Sequence, residues 1–342
     1  MGLAFVDVRG HGAGSGNMTP AGEKWSTYLN RYGAVLGLFV VYGLFAIVGP
    51  ESFSSTQNLE TLARQTAIVG TAALGMTLVI IAGGIDLSVG SIIALGTVVI
   101  AALLQAGVSP LISVLAGIGV GSLCGFVNGL LITRLRVVPF IVTLGTLLVV
   151  RGAAKGLAHE QKIDAPLSWV NELLAALPPG EGWKLAPPGV WIMAILALLV
   201  AGMLYYTRLG RHIFAVGSNE ATARLCGVPV DRVKIMVYSL SAGFAGLAGV
   251  MQFSRLTVGD PTVATGAELD VIAAVVIGGG SLSGGEGSIL GTIVGALIMT
   301  VIRSGCSQMG LPNWVQEIVT GFIIVVAVAL DRLRSRTQHE NG

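Results

Sequence analysis

The sequence predicts an all-α integral membrane protein of about ten transmembrane helices, with an internal repeat, glycine-broken helices and both termini cytoplasmic. Three observations predict it. First, 53% of the 342 residues are hydrophobic and only 11% are Asp, Glu, Lys or Arg, with a mean hydropathy of +0.81. Soluble domains carry roughly a quarter charged residues, so these charges are too few to cover a water-soluble enzyme of this length. Second, apolar runs approaching the roughly 20 residues that cross a bilayer recur along the whole chain. Third, with the N-terminus placed in the cytoplasm, those runs leave 13 of the 20 basic residues inside and 7 outside, as the positive-inside rule asks.

Taken in order, residues 1–32 hold no apolar core of signal-peptide length before a small-residue cleavage site, and they read as a mobile cytoplasmic leader. Val6 stands where myristoylation wants Ser or Thr. A transmembrane domain follows over 33–331, with spans at about 33–49, 61–82, 87–106, 110–133, 138–156, 189–207, 235–254, 267–283, 288–304 and 314–331. The second, eighth and ninth carry Glu60, Arg64, Glu268, Asp270 and Glu286 at their edges and are interrupted by glycine. An external loop at about 157–188 contains Pro166, Pro178, Pro179, Pro187 and Pro188 and is too short for a catalytic domain. The longest internal loop runs over about 208–234, and the basic stretch after Arg332 makes 332–342 a cytoplasmic tail.

Several chemistries drop out. Cys124, Cys226 and Cys306 lack any metal-binding spacing, and His11, His159, His212 and His339 are scattered over loops and tails, so no metal, redox or cofactor site is expected. A net charge of +2 gives no basic excess for nucleic acid. Leu282-Ser-Gly-Gly-Glu286 imitates an ATPase signature, but the chain has no G-x-x-x-x-G-K-[ST] to cradle phosphates, and the five residues read as a turn between apolar spans.

Glycine carries most of the remaining signal. Gly117, Gly121, Gly125 and Gly129 recur every four residues, so they share one helix face and admit a second backbone, either of the same chain or of a dimer partner. Two stretches echo each other: Gly83-Gly84-Ile-Asp86-Leu-Ser88-Val-Gly-Ser, and Gly279-Gly-Ser-Leu-Ser-Gly-Gly285-Glu286-Gly-Ser288. In each, a glycine pair can turn or break a helix, and a carboxylate with a serine stands ready to cap the next one. Weak internal symmetry with broken helices is a transporter pattern. A carboxylate inside the membrane costs roughly 2.5–3.5 kcal/mol on insertion scales, so Asp86 is either an N-cap at the membrane edge or part of a gate or pathway. Gln65, Asn128, Thr143, Thr146 and Gln252 are polar groups within spans, available for helix-helix hydrogen bonds or for transient solute contacts.

In the internal loop, Ser218 or Asn219 can cap a short helix containing Glu220, Ala221, Ala223 and Leu225, with Gly227 as its stop and Pro229 preventing continuation. Two turns of helix are unstable alone. The apolar face therefore needs a partner, whether the lipid interface, the bundle itself or another protein.

Three segments in order, from Gly75-Met-Thr-Leu-Val-Ile-Ile-Ala-Gly-Gly-Ile-Asp-Leu-Ser-Val-Gly-Ser, through Ala215-Val-Gly-Ser-Asn-Glu-Ala-Thr-Ala-Arg-Leu-Cys-Gly-Val, to Ile277-Gly-Gly-Gly-Ser-Leu-Ser-Gly-Gly-Glu-Gly-Ser, resemble the membrane permease of ribose-type sugar ABC importers. The similarity covers about 33–332. It implies a permease homodimer in the bacterial inner membrane, two cytoplasmic ATPase subunits and a periplasmic sugar-binding protein. It also implies that Gly217, Asn219, Glu220, Ala221, Arg224, Leu225 and Gly227 belong to a coupling helix that docks into the ATPases, although Glu220 to Gly227 spans seven residues where six is the usual spacing. The implied mechanism is alternating access driven by ATP hydrolysis elsewhere, with no chemistry in this chain. A proton- or sodium-driven carrier would want ionisable groups at mid-depth, where only Asp86 and Glu286 qualify. An intramembrane enzyme would want a nucleophile or metal beside its acids, and the sequence supplies neither.

Overall fold

The computed structural model describes residues 20–178 and 186–340, and the side chains of 33–178, 186–326, 328 and 329. Residues 1–19 of the expected leader, 179–185 of the external loop and 341–342 of the tail lie outside the described residues.

The described chain is almost entirely helical: α1 (Pro20–Val48), a 3-10 turn at Glu51–Ser54, α2 (Thr56–Ile81), α3 (Val89–Gln105), α4 (Pro110–Leu135), α5 (Pro139–Leu157), α6 (Trp169–Glu172), α7 (Pro188–Tyr206), α8 (Arg208–Ser218), α9 (Glu220–Leu225), α10 (Val230–Leu256), α11 (Ala267–Ile277), α12 (Ile289–Gln308) and α13 (Asn313–Glu340). Pro110, Pro139 and Pro188 open α4, α5 and α7, where a fixed φ favours the first turn and the missing N–H costs nothing. Each expected span contains a helix, though the eighth is helical only over Ala267–Ile277. Among the described residues, six helices, α2, α4, α5, α7, α10 and α12, are long and apolar enough to cross a membrane.

The expected eighth span differs most. It covers 267–283, but α11 has only 11 residues, about 16 Å of helix against a bilayer core of about 30 Å. The helix starts at the expected residue and stops six residues short of 283, because Gly279 and Gly280 end it; the preceding loop, for its part, turns inward. Its start, β2 (Val258–Gly259), pairs antiparallel with β1 (Ile163–Asp164) of the external loop. Asp260 N–H then donates to Thr97 Oγ1 on α3 at 3.2 Å, and Arg151 on α5 donates to the carbonyls of Pro261 (3.0 Å) and Val263 (2.7 Å). By Ala264 and Glu268 the chain lies against Gly90, in the first turn of α3. Irregular backbone at that depth is tolerated because protein encloses it.

Burial sorts the helices into a centre and a rim. Of the most apolar stretch of α2, 83% is buried, against 17% for α5 and 22% for α7. Lipid tails are as apolar as leucine, so close van der Waals approach must hold such helices together. The glycine row of α4 supplies it within the chain: a methyl on Gly121 would sit 2.5 Å from the Ala242 carbonyl oxygen, one on Gly129 2.6 Å from Ile235 Cα, and one on Gly125 would strike the Tyr238 carbonyl. The row is thus the α4–α10 seam, and between the two readings of its spacing the structure selects packing within one chain.

Candidate functional site

The two echoed glycine pairs fold alike at their starts. Gly83 N–H bonds the Ile80 carbonyl (2.9 Å) and Gly84 N–H that of Val79 (2.9 Å); Gly279 N–H bonds Val276 (2.9 Å) and Gly280 N–H bonds Val275 (2.8 Å). Gly83 and Gly279 both take positive φ, +78° and +92°. Each pair therefore ends its helix, α2 or α11, in the same Schellman motif, which needs a residue that tolerates the left-handed region.

A third glycine joins them. Gly217, near the end of α8, is pressed against the Ile81 carbonyl and lies so close to Gly285 that a methyl on it would come 2.6 Å from the Gly285 nitrogen. Gly285 N–H itself donates to the Ile81 carbonyl at 2.8 Å. A methyl on Gly284 would sit 2.7 Å from the Gly217 carbonyl oxygen and 2.9 Å from Gly83 Cα. Three segments more than 60 residues apart in sequence thus meet at a junction with no room for a Cβ on Gly217. The residues Leu282–Glu286 form the expected turn, with Gly284 N–H bonded to the Ser281 carbonyl at 3.0 Å.

Beyond the shared start the two turns diverge. Asp86 is fully buried, and its Oδ1 accepts from Ser88 N–H (2.9 Å) and the Ser88 hydroxyl (2.5 Å). Asn128 Nδ2 donates to Ser88 Oγ at 3.1 Å, and the Thr146 hydroxyl donates to Asn128 Oδ1 at 2.6 Å. The carboxylate therefore organises the residue before α3 and, through it, α4 and α5. Asp86 Oδ2 has no hydrogen-bond partner among the described residues. In the other turn Glu286 and Ser288 are exposed, and Ser288 caps α12 by accepting from Gly291 N–H at 3.4 Å.

Directly after the junction, Asn219 caps α9 through Thr222 N–H (2.9 Å), and Gly227, at φ +80°, ends it. Ala223 turns inward and is buried, whereas Ala221 is exposed and Leu225 is 89% exposed. Glu220 accepts from Lys234 Nζ at 2.6 Å and Arg224 at 3.3 Å, and Arg224 also bonds Asp231 at 2.9 Å. Partial burial alone would raise the Glu220 pKa, yet the bonds and charges of Lys234 and Arg224 outweigh it and hold the carboxyl below its ordinary value. The outward face of α9 is a fixed apolar and charged patch, Glu220, Ala221, Arg224 and Leu225.

At the far end of α2 and α12 a polar cleft of about 660 Å³ opens beside the first turn of α11. Gln65 and Gln252 line it, so two of the five polar span residues reach a cavity. Asn128, Thr143 and Thr146 do not line this cleft; Thr143, for example, donates to the Ile85 carbonyl at 3.2 Å. The sequence reading missed Asp270 and Arg303, which form a 2.7 Å ion pair in the cleft. The available signal was an acid and a base inside neighbouring apolar segments, a combination that lipid penalises unless the two pair.

A family model described as "Branched-chain amino acid transport system / permease component" matches residues 58–328. The ribose import permease protein RbsC of Escherichia coli (strain K12) is 38% identical over 315 residues, 92% of this chain and 98% of that protein. Its namesake in Bacillus subtilis (strain 168) is 40% identical over 308 residues, covering 90% and 94% of the two chains. The fructose import permease protein FrcC of Rhizobium meliloti is 37% identical over 324 residues, covering 91% and 88%. No solved structure matches the chain.

Proposed function

Because the chain belongs to the family of branched-chain amino acid transport system permease components, we propose that it lines the pathway of an ATP-driven importer whose solute is a monosaccharide. A permease of this family is a multi-pass inner-membrane transport subunit and not an enzyme; ATP is hydrolysed by separate subunits, and a substrate-binding protein is the other partner. The solute class rests on the relatives, which are named for ribose and fructose although the family description names amino acids.

In this reading α1–α5, α7, α10, α12 and α13 each cross, the inward loop together with α11 completes the eighth of ten passes, and both termini are cytoplasmic. That arrangement sets Arg208, Arg211, Arg224, Arg232 and Lys234 on the inner side, in keeping with the positive-inside rule. The matching Schellman ends of α2 and α11 support an internal repeat. Two copies of the chain form the working dimer, with 33–331 as the membrane domain, 1–32 as a leader and 332–342 as a tail.

The observation that carries the mechanism is the junction at Gly217. The outward face of α9 docks on the ATPase, and Gly227 and Gly217 bound the docking loop. When the ATPases close, α9 moves, and Gly217 has no slack against Ile81 and Gly285. The motion passes to the ends of α2 and α12, which tilt as rigid bodies and open their other end, as bundle rocking requires. Gly83, Gly84 and Gly285 form the joint, while Asp86, Ser88 and the exposed Glu286 set its two sides.

The test is reconstitution in lipid with the cognate ATPase and binding protein. Sugar-loaded binding protein is expected to stimulate ATP hydrolysis with the wild-type permease, and the pair Glu220→Arg and Leu225→Asp to abolish both stimulation and co-purification while membrane insertion persists. Solute movement under an imposed ion gradient, without any ATPase, would instead establish an ion-coupled carrier.

A further inference from the structure

We propose that the Asp270–Arg303 pair in the cleft is a solute-handling site that takes a vicinal diol of a neutral sugar. This rests on the importer reading above and assigns to it two residues of this chain. The geometry is specific. Arg303 Nη2 and Asp270 Oδ2 meet at 2.7 Å, but the pair makes only one of the two parallel bonds open to a guanidinium and a carboxylate. Asp270 Oδ1 and Arg303 Nε are both buried and have no hydrogen-bond partner among the described residues. Asp270 is 4% exposed, so its free oxygen sits where an unmet acceptor is costly. One acceptor and one donor are thus left unmet on a single ion pair with no net charge. Adjacent hydroxyls complement that arrangement: one donates to Asp270 Oδ1 and its neighbour accepts from Arg303 Nε.

The surroundings agree. The cleft volume of about 660 Å³ lies within the roughly 300–1,000 Å³ of small-molecule sites. Gln65 and Gln252 add amide donors and acceptors, and Ile68, Val69 and Ile93 offer apolar wall for a ring face. Asp270 lies in the first turn of α11, a half-length helix starting inside the molecule, and discontinuous helices of this kind build the solute sites of many transporters. Arg255 also lines the cleft, so an anionic sugar acid is the competing ligand.

The experiment compares uptake of D-ribose and of its anionic counterpart D-ribonate into liposomes carrying permease, ATPase and binding protein, with ATP hydrolysis measured alongside. For wild type, ribose is expected to enter and ribonate to be excluded. Asp270→Asn and Arg303→Gln are each expected to lower ribose uptake at least tenfold at equal protein content, while stimulated hydrolysis stays within twofold because the Gly217 junction and α9 are untouched. Uptake within twofold of wild type in both variants, or a wild-type preference for ribonate, overturns the site and leaves the importer reading standing. A wild-type complex that hydrolyses ATP but carries neither these two compounds nor D-fructose or L-arabinose overturns the importer reading and the site with it. If the variants do not accumulate, Gln65→Cys in a chain with Cys124, Cys226 and Cys306 replaced by serine decides the matter. Ribose-loaded binding protein should slow its labelling by a water-soluble maleimide several-fold, and equal rates with and without sugar overturn the site.

Discussion

The turn after α2 and the turn after α11 begin with the same glycine geometry and end in opposite surroundings. Both close their helices with paired 2.8–2.9 Å Schellman bonds and a glycine in the left-handed region. After that, Asp86 is sealed in a network reaching Ser88, Asn128 and Thr146, while Glu286 faces outward and Ser288 caps α12 alone. The lesson is that a glycine pair with a nearby acid and serine specifies a helix end, whereas the work of the acid is assigned by what packs over it. Over the first turn lie α4, α5 and α10; the second lies against the end of α8 at Gly217 and Ser218 and the end of α2 at Thr77, Ile81 and Gly83, with Glu286 left outside.

The comparison can be broken most forcefully where the two turns touch. Gly217→Val puts a branched side chain against the Ile81 carbonyl and between both turns, so sugar uptake is expected to fall to background; uptake above half of wild type would show that the turns are not tied there. A smaller effect separates the two acids. Asp86→Asn should reach the membrane but lower uptake about tenfold, whereas Glu286→Gln should stay within twofold, both read as initial rates in vesicles. Equal behaviour of the two variants would return Asp86 to a purely local turn role. The smallest effect concerns the serines: Ser288→Ala removes a helix N-cap worth about 1 kcal/mol. It should lower the thermal midpoint of the purified permease slightly without changing solute discrimination, and a large loss of uptake would mean that this turn does more than end and start helices.

Much of the molecule was legible in the sequence because its causes are local. The short helix at Glu220–Leu225 follows from Asn219, Gly227 and Pro229, each acting within a few residues, and it forms where those residues place it. The row Gly117, Gly121, Gly125 and Gly129 gave the packing face of α4 but not its partner, because a face names no neighbour until the chain has folded. The cleft was not legible. Beside it, Asp260, Pro261 and Val263 are drawn inward by Thr97 and Arg151, more than 100 residues away, so that the short α11 begins inside the molecule, and Asp270 in its first turn lines the cleft.

The sequence by itself determined the membrane class, most of the helical segments, the glycine helix ends and the short helix α9, since hydropathy, capping and glycine backbone freedom act over one helix length or less. Only the tertiary structure decided that Gly83, Gly217 and Gly285 meet, that Asp86 is buried while Glu286 is not, and that Asp270 finds Arg303. Those outcomes depend on which helices become neighbours, and in lipid that choice is made by close packing among many similar apolar surfaces, which no single segment encodes.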